Sequence, residues 1–109
     1  MHYIWNFYQD DLLVETNDVT FQGNKYMVNE NLYLLRNDNN YTFIKNELDY
    51  NIVMDFSQKK LKFFLIKENV STEAELLYSE VVDKHDNITI IYKLDEQVTY
   101  KIVISLKEW

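Results

Sequence analysis

VTYKIVISL, residues 98–106, alternates without a break. One face carries Val98, Tyr100, Ile102, Ile104 and Leu106, and the other carries Thr99, Lys101, Val103 and Ser105. Successive side chains of a strand point to opposite faces, so a period of two over this length predicts a strand with one buried side. Just upstream, ITIIYKL (88–94) repeats the pattern, and Asp95-Glu96-Gln97 has the length of an ordinary hairpin connection.

The same period recurs along the chain. Tyr50, Ile52, Met54 and Phe56 alternate with polar residues and Val53, and Leu61, Phe63 and Leu65 follow after Ser57-Gln58-Lys59-Lys60. Near the start, Tyr3, Trp5 and Phe7 share a face, and Leu12, Val14 and Thr16 begin a second strand. In NKYMVNENLYLLRND (24–38), two short strands at 25–28 and 32–36 are turned by Asn29-Glu30-Asn31, and 37–40 turns into a strand at 41–45. Turn signals every 8 to 12 residues or so predict an all-β sandwich or barrel. Short connections favour an antiparallel meander, and closure removes its two exposed edges. The expected architecture is one domain, residues 1–109, forming a small up-and-down antiparallel barrel of about eight strands with at most one short helix. Tyr50, Ile52, Met54, Leu61, Phe63, Leu65, Ile90, Tyr92, Tyr100, Ile102 and Ile104 are the expected inward set.

Residues 71–82 fit this scheme least well. Apolar residues at 74, 77, 78 and 81 have helical spacing, and Thr72 with Glu75 would form a capping box. Ala74, Leu76, Tyr78 and Val82 would equally share a strand face, interrupted by Glu80. Local pattern alone favours the helix.

Composition narrows the function classes. The 109 residues include no Cys and no Pro, and Gly23, Ala74 and Arg36 are each the sole residue of their type. Disulfides, thiolate metal sites and thiol nucleophiles are excluded. The residues encoded by GC-rich codons are the scarce ones, which points to a low-GC bacterium or its phage. Turns must therefore rely on Asn and Asp, which tolerate left-handed backbone better than other non-glycine residues. No apolar run nears the ~20 residues of a membrane span, and the N-terminal residues do not read as a signal peptide. A cytoplasmic protein is expected. A net charge of −7 argues against direct nucleic-acid binding, which needs clustered cations. Lys59, Lys60, Lys62 and Lys67 read as a solvated strand face.

Candidate catalytic residues are few. His2 and His85 have no neighbouring His or Cys, so neither predicts a metal site. Ser57, Ser71, Ser79 and Ser105 lie outside any nucleophile elbow, and one glycine cannot form a phosphate loop. Asp10-Asp11 and Asp95-Glu96 sit in expected turns, where solvation explains them. The nine Tyr and six Phe either fill the barrel or line a pocket for an apolar ligand, with filling the simpler reading of short strands. Arg36 follows Leu32 and Leu34 on one face, where it would anchor an anion in the barrel mouth or snorkel at a strand end.

KYMVNENLYLLR (25–36), with IIYKL (90–94) and YKIVISL (100–106), resembles an uncharacterised small bacterial family with a calycin-like, lipocalin-type barrel. Tyr26 and Leu32-Tyr33-Leu34 match its strand pattern, whereas Asn29-Glu30 replace its turn glycine. The resemblance implies a closed barrel in which residues 73–82 are a long strand; it implies no activity. The expected function is a non-enzymatic barrel that binds a protein partner or a small apolar ligand, with no cofactor, metal or catalytic residue. The alternative is a phage-type acidic inhibitor that blocks a nucleic-acid-binding site. For it, Glu68, Glu73, Glu75, Glu80, Asp83 and Asp86 would stand in for phosphates.

Overall fold

Alternation becomes strand throughout the computed structural model, which describes residues 2–107. Eleven strands run β1 (His2–Gln9), β2 (Leu12–Gln22), β3 (Lys25–Asn29), β4 (Leu32–Asn37), β5 (Asn40–Asn46) and β6 (Tyr50–Asp55). They continue as β7 (Lys60–Leu65), β8 (Val70–Glu75), β9 (Tyr78–Lys84), β10 (Asn87–Lys93) and β11 (Tyr100–Leu106). The described residues contain no helix, so none is long and apolar enough to cross a membrane. All neighbours are antiparallel in one sheet, in the order β8-β7-β6-β5-β4-β3-β2-β1-β11-β10-β9. The sheet curls into a half-barrel.

Two expectations need correction. There are eleven strands rather than about eight. The excess comes from short hairpins and from segment 70–84, whose two halves pair with different neighbours. That segment is strand, not helix. β8 pairs with β7 and β9 with β10, so consecutive pieces of chain form the two opposite edges of the sheet. Ten antiparallel steps separate them, and an even number leaves both running the same way. They are one bent strand. At the bend the Leu76 N–H donates to Lys59 O at 2.8 Å and the Leu77 N–H to Lys93 O at 2.9 Å.

The bend explains the helical look of this segment. Cross-strand partners place Thr72 and Ala74 on the inner face of β8, opposite Phe63 and Leu61. On β9 the inward residues are Ser79, Val81 and Asp83, opposite Tyr92, Ile90 and Ile88. The inward set thus shifts from even to odd numbers across Leu77-Tyr78. Leu77 and Tyr78, two of the four apolar residues with helical spacing, fall at this slip and are exposed (54% and 40%) rather than part of one buried face.

The turns use the residues that the composition leaves available. Asp10 and Asp11 have φ of 50° and 66°, the left-handed pair that a two-residue type I′ hairpin requires. Asp38, Asn69 and Asp86 adopt the same region, as do Gly23 and Lys59. The core is built around Trp5, Leu34, Tyr41, Ile90, Ile102 and Ile104. Of the expected inward set, Met54, Ile90, Tyr92, Ile102 and Ile104 are buried, while Ile52, Leu61 and Tyr100 pack partly buried against them. Tyr50, Phe63 and Leu65 are only half-buried and lie outside that cluster, because the curl leaves their end of the sheet open.

Ile102 is 1% exposed, so Ile102→Ala is expected to cost roughly 2–5 kcal/mol in urea unfolding, from lost transfer energy and a residual cavity. A cost under about 0.5 kcal/mol would mean that this face does not point inward.

Candidate ligand-binding cleft

The half-barrel has two unlike ends. At one, Tyr41 Oη donates to Asp83 Oδ2 at 2.5 Å, and the Arg36 guanidinium lies 3.6 Å from the same oxygen. Arg36 also hydrogen-bonds Tyr26. β4 and β5 are thereby tied to β9, far away in the sheet order. Ser79 Oγ adds a second tie by donating to Phe56 O at 2.6 Å. This latched end encloses a cavity of about 350 Å³, lined by Tyr26, Arg36, Asp83 and Asn87 among others.

Toward the other end lies an apolar cleft of about 470 Å³. Ordinary small-molecule pockets span roughly 300–1,000 Å³. Alternation builds its walls. Trp5 and Phe7 come from β1, Phe43 from β5, Ile52 from β6, Phe63 from β7, and Tyr100 from β11. Phe7 stacks on Tyr100 (5.9 Å between centroids, 11° between planes), and Tyr100 on Tyr92 (5.2 Å, 23°). Three polar side chains share the lining, namely Glu15, Asn17 and Lys45. Asn17 Nδ2 donates to Glu15 Oε1 at 3.0 Å, and Lys45 Nζ stands 4.0 Å from Glu47 Oε1.

One side of the cleft wall is incomplete. β3 pairs with β2 only over Thr20–Gln22, so among the described residues no strand covers the second edge of β2 from Leu12 to Val19. The hairpin tip beside this gap exposes Leu12 (73%), Leu13 and Val14.

Sequence reasoning located some of these groups and missed others. Arg36 does point into a barrel mouth, but beside Asp83 rather than open to an anion. His85 is exposed next to Asp86 (3.5 Å) beside the latched cavity, His2 lies at the start of β1, and neither lines the cleft. The described residues hold no group of three or more potential metal ligands. Asp10-Asp11 form the β1–β2 turn, and Asp95 Oδ1 caps its loop by accepting from the Gln97 and Val98 N–H groups. Lys60 pairs with Glu73 at 3.4 Å. Ser79 donates to the Phe56 carbonyl. Glu15, Asn17 and Lys45 were not singled out. A bulge after Phe7 shifts the pairing, so Glu15 and Asn17 stand opposite the inward Phe7 and Trp5. Only the partner strand carries the signal for that bulge.

Burial, reinforced by the Asp83 hydrogen bond, pushes the Tyr41 hydroxyl well above the ordinary tyrosine range, and burial next to Tyr100 does the same for Tyr92. The folded state holds these protons more tightly than the unfolded chain. Their contribution to stability is therefore complete below about pH 10 and declines as pH rises beyond it. Urea unfolding at about pH 9 and pH 11 should show a smaller alkaline loss for Tyr41→Phe/Tyr92→Phe than for the wild type. Equal losses would contradict the assignment. Comparison with protein-family models, curated proteins and solved structures finds no match.

Proposed function

We propose that this protein is a non-enzymatic binding module that takes a small apolar ligand into the open end of the half-barrel. The observation that carries this reading is the cleft of about 470 Å³, walled by aromatic and aliphatic side chains and held open while the opposite end is latched. An interior filled to native density would leave few voids larger than a water molecule. An exposed apolar pocket of this size loses contact energy unless something occupies it. The few polar groups among its lining residues match the usual division of labour, in which apolar walls give affinity and polar groups give orientation. The up-and-down meander is compatible with the calycin-like resemblance.

A second reading, the acidic inhibitor, draws on the slip at Leu77-Tyr78. It turns Glu80 to the outer face, the face that Glu73 and Glu75 also occupy. Glu73 is partly offset by Lys60, and Tyr78 Oη donates to Glu80 at 2.5 Å, so two of these three carboxylates already have a local partner. The cleft reading ranks first for that reason.

Titration with the neutral fluorophore N-phenyl-1-naphthylamine tests it. Saturable emission enhancement is expected, and Leu32→Trp, which puts a bulky ring into the cleft mouth, should abolish it in a protein that still unfolds cooperatively. Leu12→Ser/Leu13→Ser, at the exposed hairpin tip, should leave it unchanged. Binding that survives Leu32→Trp but is lost with the hairpin substitutions would move the site to the surface patch and overturn the reading.

A further inference from the structure

The stacked wall of the cleft ends abruptly at β2. Phe7 stacks on Tyr100, and its strand β1 lies between β11 and β2. The β2 residue directly across from Phe7 is Glu15, an anion where the stack would call for another ring. Among the described residues no strand pairs with β2 beyond Glu15, so a molecule lying on Phe7 meets an exposed carboxylate and an open side rather than a wall. Asn17 engages one oxygen of that carboxylate, and among the described residues Glu15 has no cationic partner.

We propose that the ligand of this cleft is a planar aromatic cation, its ring continuing the Phe7–Tyr100–Tyr92 stack and its charged nitrogen meeting Glu15. This rests on the cleft being a binding site and specifies what it binds. Three features favour positive over negative charge. Aromatic faces present negative potential to a cation. The chain's net charge of −7 draws cations toward it over longer range. The one cation in the lining, Lys45, already has Glu47 beside it, whereas Glu15 lacks a counterpart. Lys45 stands on β5, between Leu32 and Ile52, away from the Phe7 stack on β1. An aromatic anion would gain Lys45 only by competing with Glu47, and would leave Glu15 uncompensated.

Calorimetric titration with three ligands of one shape, 1-naphthylmethylammonium, 1-naphthylmethanol and 1-naphthaleneacetate, separates the possibilities. The cation should bind roughly five- to tenfold more tightly than the neutral alcohol, the combined scale of one cation–π contact and one partly exposed ion pair. Glu15→Gln should cut the cation's advantage to about two- to fivefold, the share of the cation–π contact, and leave the alcohol unchanged, which a general loss of folding would not do. Lys45→Met should leave the cation as tight as before or slightly tighter. Equal binding of cation and alcohol by the wild type would overturn this inference and leave the apolar cleft standing. Tightest binding by the acetate, lost in Lys45→Met, would also overturn it. Failure of all three ligands to bind would overturn both the cleft reading and this one.

Discussion

One bent strand, residues 70–84, forms both edges of the sheet. An open meander of eleven strands would be free to flatten, and its two outermost strands would offer unpaired backbone to other chains. Here those strands are consecutive in sequence and joined through Leu76-Leu77, so the sheet cannot uncurl without breaking the bend. Leu76 is buried and its N–H reaches the β6–β7 turn, while Leu77 reaches the end of β10. The curl that follows brings β9 within reach of Tyr41, Arg36 and Phe56 and so permits the latch. The Tyr41–Asp83 contact lies toward one end, and the cleft opens toward the other.

The charge pattern follows from the same constraint. The edge strand β8 is exposed along its whole length and presents Glu73 and Glu75 outward, and the uncovered edge of β2 carries Glu15 and Asp18. Charged residues on open edges oppose strand-to-strand association. The acidic composition therefore has a structural role whatever else it does. Turn chemistry is subject to a similar economy. Asp55 Oδ1 accepts from the Ser57 N–H, the Gln58 N–H and Ser57 Oγ, pinning the β6–β7 turn without proline or glycine. Burial alone would raise the Asp55 pKa, but these hydrogen bonds outweigh it and hold the carboxyl below its ordinary range. That turn is also the one whose Lys59 carbonyl receives Leu76, so its rigidity reaches the bend.

Much of the fold was legible in the residues because a period of two is a local property. Residues 88–94 and 100–106 carried it so cleanly that Ile90, Ile102 and Ile104 were identified as inward from pattern alone. The left-handed Asp and Asn turns were legible too, since a chain with one glycine has few other ways to make them. What escaped was each place where the period slips. The bend at Leu77-Tyr78 turned a strand into an apparent helix, and the bulge after Phe7 left no local sign that Glu15 and Asn17 stand across from Phe7 and Trp5. A slip is set by pairing with strands distant in sequence, so the segment that contains it does not announce it. The cleft was illegible for a related reason. Whether inward aromatics fill a barrel or line a space depends on where the curl is latched, and the Tyr41–Asp83 contact spans 42 positions of chain.

Amide hydrogen exchange at Leu76 and Leu77 tests the central claim most directly. If both edges of the sheet hang on this bend, these two amides should exchange only as slowly as those of Ile90 and Ile102, through global unfolding. Exchange at both sites orders of magnitude faster than in β10 and β11 would mean that the bend opens locally, and that the curl does not depend on it.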